Sequence, residues 1–328
     1  MKALVIGYGS IGKRHIKNLS LFKNIEILVV TQKKLDPFLK KHNCKIFQSI
    51  QKSLSEKPDF GIISNVSNQH LKSAILLAKN GIHIFIEKPL SNSLANVNSL
   101  VLETKKQKLI TQIGCNLRFH PCIKKIKSII SEQTLGKILT IQIENGSYLP
   151  NWHPNEDYRL SYASQKKMGG GVVLTCIHEI DYLYWFFGNI SEVYSITGKF
   201  SDLEIDSEDL SAILMKVGKN SVAEIHLDYF QQPPERSCKI IGTKGTLIWN
   251  FKTNYIKLFN NKKKKWSIEL KLTKYDNNKM YYDELDHFIT CVKRKKTTIN
   301  PLIDGIETLK IALAIKKSSK QRKMIKLE

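Results

Sequence analysis

Arginine is scarce in this chain of 328 residues. Only six of its 52 basic residues are Arg, although the formal net charge is +23. Arg is the side chain suited to bidentate phosphate and base recognition, so a Lys-dominated charge spread along the whole chain argues against a nucleic-acid partner. It reads as solvated surface that draws in anionic substrates such as nucleotide sugars at long range. The tightest run, Lys262–Lys265 before Trp266, reads as a hairpin turn. Long apolar stretches are also missing. No run reaches the roughly 20 residues that a bilayer span needs, and no leader pattern precedes the first strand-like run, so we expect a cytoplasmic protein with no membrane partner. The cysteines Cys44, Cys115, Cys122, Cys176, Cys238 and Cys291 include no C-x-x-C pair. They are expected to be reduced, with no metal site. No repeat of fixed period is visible.

What is present is an alternation of strand and helix. Residues 2–6, 25–31, 59–63, 82–86 and 109–113 read as short buried strands, with helices near 10–21, 68–79 and 93–107 between them. That order predicts a doubly wound parallel sheet, a Rossmann domain over residues 1–119. A helix over 121–131 and an antiparallel-type strand over 137–145 open a different pattern. Residues 170–187 predict one apolar helix entered through Gly169-Gly170-Gly171. Alternating runs from 191 to about 270 follow, then helices near 280–293 and 301–318. Residues 120–328 are therefore expected to form an α/β domain with a large, mainly antiparallel open sheet.

Gly7-Tyr8-Gly9-Ser10-Ile11-Gly12 is a G-x-G-x-x-G turn between a predicted strand and a predicted helix. Gly7 permits the tight turn, Gly9 lets a pyrophosphate approach the backbone, and Gly12 lets helix and strand pack closely. The helix start supplies N–H groups and positive potential for the phosphates. The second strand ends in Val30-Thr31-Gln32-Lys33-Lys34, with no acid to hold a ribose hydroxyl. Thr31 and Lys33 would suit a 2′-phosphate, which favours NADP(H) over NAD(H). Glu87-Lys88-Pro89 follows the strand at 82–86, at the sheet end where open α/β sheets bind ligands. Lys88 there can bond a substrate hydroxyl or exchange its proton. Thr175, His178 and Asp181 are three apart, so on a continuous helix they share one face, with His178 as the natural general base and Thr175 and Asp181 beside it at the substrate.

In this order the motifs resemble the glucose–fructose oxidoreductase, inositol dehydrogenase and MocA family over nearly the whole chain. The matching pieces are GYGSIGKRH at 7–15, SNVSNQH at 64–70, EKPL at 87–90, NLRFHP at 116–121 and GGGVVLTCIHEID at 169–181, with DELDHF at 283–288 and DGIETLKIALAI at 304–315. The resemblance implies an NAD(P)-dependent sugar dehydrogenase or reductase that moves hydride between nicotinamide and a secondary alcohol or ketone of a sugar, nucleotide sugar or cyclitol. It implies that Lys88 and His178 are catalytic and that the Lys88–Pro89 bond is cis. Ser64, Asn65 and His70 would line the nicotinamide and its ribose, with Glu87 beside the cofactor. Asn116 and Arg118 would lie near the substrate. It further implies a homodimer or homotetramer built through the open sheet. The segment 146–171 is similar to family members of surface-sugar biosynthesis and would bring Trp152, Tyr158 and Arg159 to the substrate. Thr175 stands where the family often has Asp, and Val66 where it usually has Pro. The alternatives are an NAD-dependent lyase or hydrolase with transient redox, and a nucleotide-sensing regulator without turnover.

Overall fold

The computed structural model describes residues 1–327. The chain divides into two compact units. One holds residues 1–116 and 277–309, and the other residues 117–276 and the stretch from Lys310 on.

In the first unit, short apolar segments end at turn residues and become strands: β1 (Lys2–Ile6), β2 (Glu26–Val30), β3 (Lys45–Phe47), β4 (Phe60–Ile63), β5 (His83–Glu87) and β6 (Thr111–Gly114). They form one sheet in the order β3-β2-β1-β4-β5-β6, and every pair is parallel. This is the doubly wound sheet that the strand–helix alternation predicts. The linking helices are α1 (Ser10–Leu19), α2 (Pro37–Lys41), α3 (Ile50–Ser53), α4 (His70–Lys79) and α5 (Val97–Lys106). The short elements β3, α2 and α3 carry too few residues to show a hydrophobic period and are not expected from the sequence.

The second unit opens with α6 (Pro121–Ser131) and β7 (Ile138–Gly146), continues through α7 (Val172–Thr175) and α8 (His178–Phe187), and then enters a run of strands. These are β8 (Ile190–Gly198), β9 (Leu210–Val217), β10 (Ser221–Asp228), β11 (Glu235–Gly242), β12 (Gly245–Asn250), β13 (Tyr255–Asn260) and β14 (Lys265–Lys271). With β15 (Ile325–Lys326) they make a nine-stranded sheet in the order β14-β13-β12-β11-β7-β10-β9-β8-β15. The pairing is antiparallel except that β7 lies parallel to β10. Alternation alone reads β7 as an antiparallel strand. It alternates because one face is buried, and that constraint is blind to the direction of the neighbour.

Two helices complete the chain: α9 (Asn278–Arg294) and α10 (Leu302–Gln321). A boundary at 119 would leave α9 in the second unit. The structure returns it to the first, because Leu285, Phe288, Ile289 and Val292 join the core that holds Ala3, Val5, Phe60, Ile62 and Phe85. Phe288 meets Phe60 and Phe85 edge-on, each at 5.6 Å between ring centroids. Helical spacing over 170–187 likewise predicts one helix where the structure has two, broken at Cys176 and Ile177. Every residue from Val172 to Ile177 is nearly inaccessible, so packing on all sides, rather than one apolar stripe, sets the path of this segment.

One buried titrating group ties this fold to pH. His120 caps α6 by accepting the Cys122 N–H at its Nδ1, 3.2 Å away, and sits among the rings of Trp249, Phe251 and Tyr275. Burial lowers its pKa from the ordinary 6.5 to about 4. The unfolded chain therefore takes up this proton first, and stability falls as pH drops from about 6.5 towards 4. Between pH 7.5 and 5 this residue alone should remove about 2 kcal/mol. Urea unfolding at the two pH values should show a loss smaller by about that amount in His120→Gln than in the unsubstituted protein. An equal loss in both would reject the assignment.

Candidate active site

The register of the parallel sheet gathers the first set of expected site residues. Val30, Ile6, Ile63 and Ile86 are aligned across β2, β1, β4 and β5, and Glu87 is aligned with Gly114 of β6. The residues that follow, Thr31, Gly7, Ser64 and Glu87, therefore stand in a row along the carboxyl edge of the sheet. Lys88 and Asn116 lie one and two residues beyond it.

The glycine turn is built for close approach. Gly7 has φ +104°, and a Cβ on it would lie 2.6 Å from the Asn65 nitrogen. A Cβ on Gly12 would lie 2.2 Å from the Gly7 carbonyl oxygen. Nothing stands within 4 Å of where a Cβ on Gly9 would be. No side chain caps α1, and its first turn, which includes Ser10 and Ile11, carries no acid. Its first N–H groups have no intrahelical acceptor. An open backbone cradle at an uncapped helix start fits a dinucleotide's pyrophosphate. Ser64 braces the turn by donating to the carbonyls of Ile6 and Gly7 at 3.1 and 3.2 Å. Asn65 donates to Ser73 at 3.2 Å, while its own side-chain oxygen is buried with no hydrogen-bond partner, an acceptor left for a ligand on that loop.

At the end of β2 the sequence shows no acid between residues 30 and 34, but the structure brings one in from further along. Asp36 caps α2 by accepting the Leu39 N–H at 2.9 Å, and its two oxygens accept the Tyr8 hydroxyl at 2.9 and 2.7 Å. Those bonds hold the Asp36 carboxyl below its usual range, the Leu39 N–H being the largest cause. Burial and Asp36 push the Tyr8 phenol up. Lys13 and Lys33 place their ammonium groups 4.9 and 5.8 Å from the Tyr8 ring centre. Thr31 is nearly buried, and its hydroxyl accepts the Lys33 N–H. The signal for Asp36 was the Asp-Pro pair, a helix cap followed by a first-turn proline.

Lys88 is half-buried, and its bond to Pro89 is cis, as the family resemblance implies. His70 and Glu87 turn inward. The His70 ring lies between the carbonyl oxygens of Pro89 and Asn65, at 2.9 and 3.0 Å, and burial lowers its pKa. It braces the loop beneath the expected ligand position. The Glu87 carboxylate meets His15 on α1 at 2.6 Å.

In the second unit, His178 is the first residue of α8 and retains 9% exposure, whereas Thr175 ends α7 beside the buried Tyr229 hydroxyl. The helix break puts the two on different helices. Arg118 and Asp181, both expected at the substrate, bind each other instead through a two-pronged pair at 2.8 and 2.8 Å, with side chains 0% and 1% exposed. Glu179 is held beside them by Arg236 at 2.9 Å and Asn145 at 3.2 Å. Trp152 donates to Ser147 and meets Tyr229 edge-on. Tyr158 accepts the Glu204 N–H, and the exposed Arg159 pairs with both Asp157 and Glu204.

The two halves of the chain match two family models. Residues 1–115 match the oxidoreductase family, NAD-binding Rossmann fold, and residues 127–327 match the oxidoreductase family, C-terminal alpha/beta domain. The chain belongs to the GFO/IDH/MocA oxidoreductase family. It is 26% identical to a myo-inositol 2-dehydrogenase of Thermotoga maritima, over 100% of this chain and 99% of that one. It is 24% identical to a scyllo-inositol 2-dehydrogenase (NAD(+)) of Bacillus subtilis, over 100% and 96%. Its fold matches a levoglucosan dehydrogenase in complex with NADH and L-sorbose with a TM-score of 0.90 at 15% identity, covering 100% and 99% of the two chains. Among the described residues no helix is long and apolar enough to cross a membrane. All six cysteines are free thiols.

The two arginine pairs predict opposite outcomes. Arg118→Ala strands a buried carboxylate and should cost about 3–5 kcal/mol of unfolding free energy. Arg159→Ala removes two exposed ion pairs and should cost less than about 1 kcal/mol. Denaturant titration of both variants checks the contrast.

Proposed function

We propose that this protein is a nicotinamide-dependent oxidoreductase that interconverts a secondary alcohol and a ketone on a sugar, nucleotide sugar or cyclitol. The observation that carries the reading is the single row at the carboxyl edge of the first sheet, which sets an open glycine cradle and Lys88 in line. Relatives named as inositol dehydrogenases support the substrate class. When bound, the nicotinamide supplies hydride transfer. In this reading Gly7, Gly9, Gly12 and the N-terminus of α1 hold the pyrophosphate, with Ser64 and Asn65 further along the same edge. Lys88 donates a hydrogen bond to the substrate oxygen and stabilises negative charge as it develops there. His178, the first residue of α8, takes the hydroxyl proton, or returns it when the carbonyl is reduced. Lys88→Ala should lower turnover by about two or more orders of magnitude with cofactor binding little changed. Unchanged turnover would remove Lys88 from the chemistry.

NADP(H) remains the favoured cofactor. Lys13 and Lys33 converge on the Tyr8 side of the turn, and Thr31 replaces an acid there, while the one nearby carboxylate, Asp36, is already engaged by Tyr8. Fluorescence titration should give tighter binding of NADPH than of NADH, and Lys33→Ala should narrow the gap. Tighter NADH binding would reverse the choice. Surface-sugar biosynthesis is the setting we infer, from the segment 146–171. A second reading is a net hydration or elimination with transient redox, since one relative, 24% identical, is named 2,7-anhydro-N-acetylneuraminate hydratase. It predicts turnover without net change in reduced cofactor.

We infer a homodimer or homotetramer through the open sheet. Tyr194, Ile196, Leu214 and Val222 lie on its outward face and are 37–55% exposed, an apolar patch that a second copy would cover. Leu214→Glu should shift the protein to monomer in sedimentation velocity. A monomeric unsubstituted protein would refute the interface.

A further inference from the structure

Beside Lys88 the first unit contains a buried carboxylate–imidazole pair that the proposed chemistry does not use. Glu87 is 6% exposed, and its Oε1 lies 2.6 Å from Nε2 of the fully buried His15. His15 stands edge-on to Phe85, and its other nitrogen, Nδ1, is buried with no hydrogen-bond partner. A proton on Nδ1 would be a buried, unsatisfied N–H, so the ring carries its proton on Nε2, facing the carboxylate. The pair then has one net negative charge. The second carboxylate oxygen, Oε2, accepts the backbone N–H of Lys88 at 3.3 Å. Gly114 leaves room for it, since a Cβ there would lie 3.0 Å from Oε2. The other charged or titratable groups around this corner are His70 on α4, which bonds the Pro89 carbonyl and feels the Glu87 charge, Arg14 on α1, and Tyr281 and Glu284 on α9. Arg14 lies over the Tyr281 ring at 4.3 Å. Burial raises the Tyr281 phenol, and the charges of Glu87, Lys88, Arg14 and Glu284 all reach it.

We propose that the His15–Glu87 pair is a positioning device for Lys88. Oε2 fixes the lysine's backbone, the net charge of the pair keeps its amine protonated, and His15 ties both to the helix whose first turn receives the cofactor's pyrophosphate. Neither residue touches the substrate in this scheme. The proposal rests on the reading of Lys88 as the group that bonds the substrate oxygen, but its test does not require turnover.

Competitive acetylation with acetic anhydride across pH 7–11, read by mass spectrometry of the peptide carrying Lys88, reports the ionisation of that amine in the intact protein without any ligand. Glu87→Gln keeps the shape and removes the charge. It should lower the titration midpoint of Lys88 by roughly one pH unit, while Glu56→Gln, a change at a distant surface carboxylate, should leave it in place. An unchanged or raised midpoint in Glu87→Gln overturns the proposal. If Glu87→Gln does not fold, His15→Leu is compared with His15→Gln, whose amide can still donate to Glu87. A disturbed midpoint in the Leu variant alone supports the device, and equal midpoints overturn it. Failure of Lys88→Ala to affect turnover would instead sink the assigned role of Lys88 and leave the labelling result standing, so the two failures are distinguishable.

Discussion

In the first unit backbone packs against backbone where α1 leaves β1. With a Cβ on Gly12 the helix would collide with the Gly7 carbonyl, and with a Cβ on Gly7 the turn would collide with the loop after β4. Removing both side chains lets the helix start press against the carboxyl edge of the sheet. Two consequences follow from that one contact. The first-turn N–H groups face outward over the edge, where an anion can meet them. A turn and a half further along the helix, His15 comes within reach of Glu87 on β5. The anion site and the lysine strand thus share a single rigid element.

The second unit is organised by buried charge. Arg118 and Asp181 neutralise each other, as do Arg236 and Glu179, and both carboxylates sit on α8. Such pairs add little net stability over well-packed apolar groups, yet breaking one is costly. Their effect is to fix the rotation of α8, because turning the helix would strip both carboxylates of their partners. His178, one residue before Glu179, is oriented by this clamp.

How far the site was legible in the sequence depends on how local each feature is. The glycine turn, the strand before it and the helix after it lie within twenty residues, and they read correctly. So did the parallel sheet, since β1, β2, β4 and β5 are largely buried and spell short apolar runs. Asp36 escaped notice because nothing in the order Thr31-Gln32-Lys33-Lys34 says that α2 will fold back to the Tyr8 hydroxyl. Asp181 reads as ligand-facing because a polar residue on an apolar helix needs a partner, and Arg118 does so through the family resemblance; a sequence does not reveal that two residues 63 positions apart are each other's partner. The return of α9 to the first core was hidden for the same reason. Its apolar face was visible, but the surface it covers was not. The break at Cys176 is of another kind. A segment buried on all sides has no periodic signature to interrupt.

The large sheet of the second unit ends at β14, a strand exposed over most of its length, with hydrogen-bonding groups along its free side. A bare edge of this kind is a template on which another chain can add a strand without limit. Here Lys265 and Lys271 stand at its two ends, and three further lysines, Lys262–Lys264, crowd the turn leading into it. Two such edges brought together would confront like charges before a single ladder bond could form. That repulsion opposes growth of the sheet into a ribbon. In this part of the molecule, the lysine excess acts as a barrier to polymerisation.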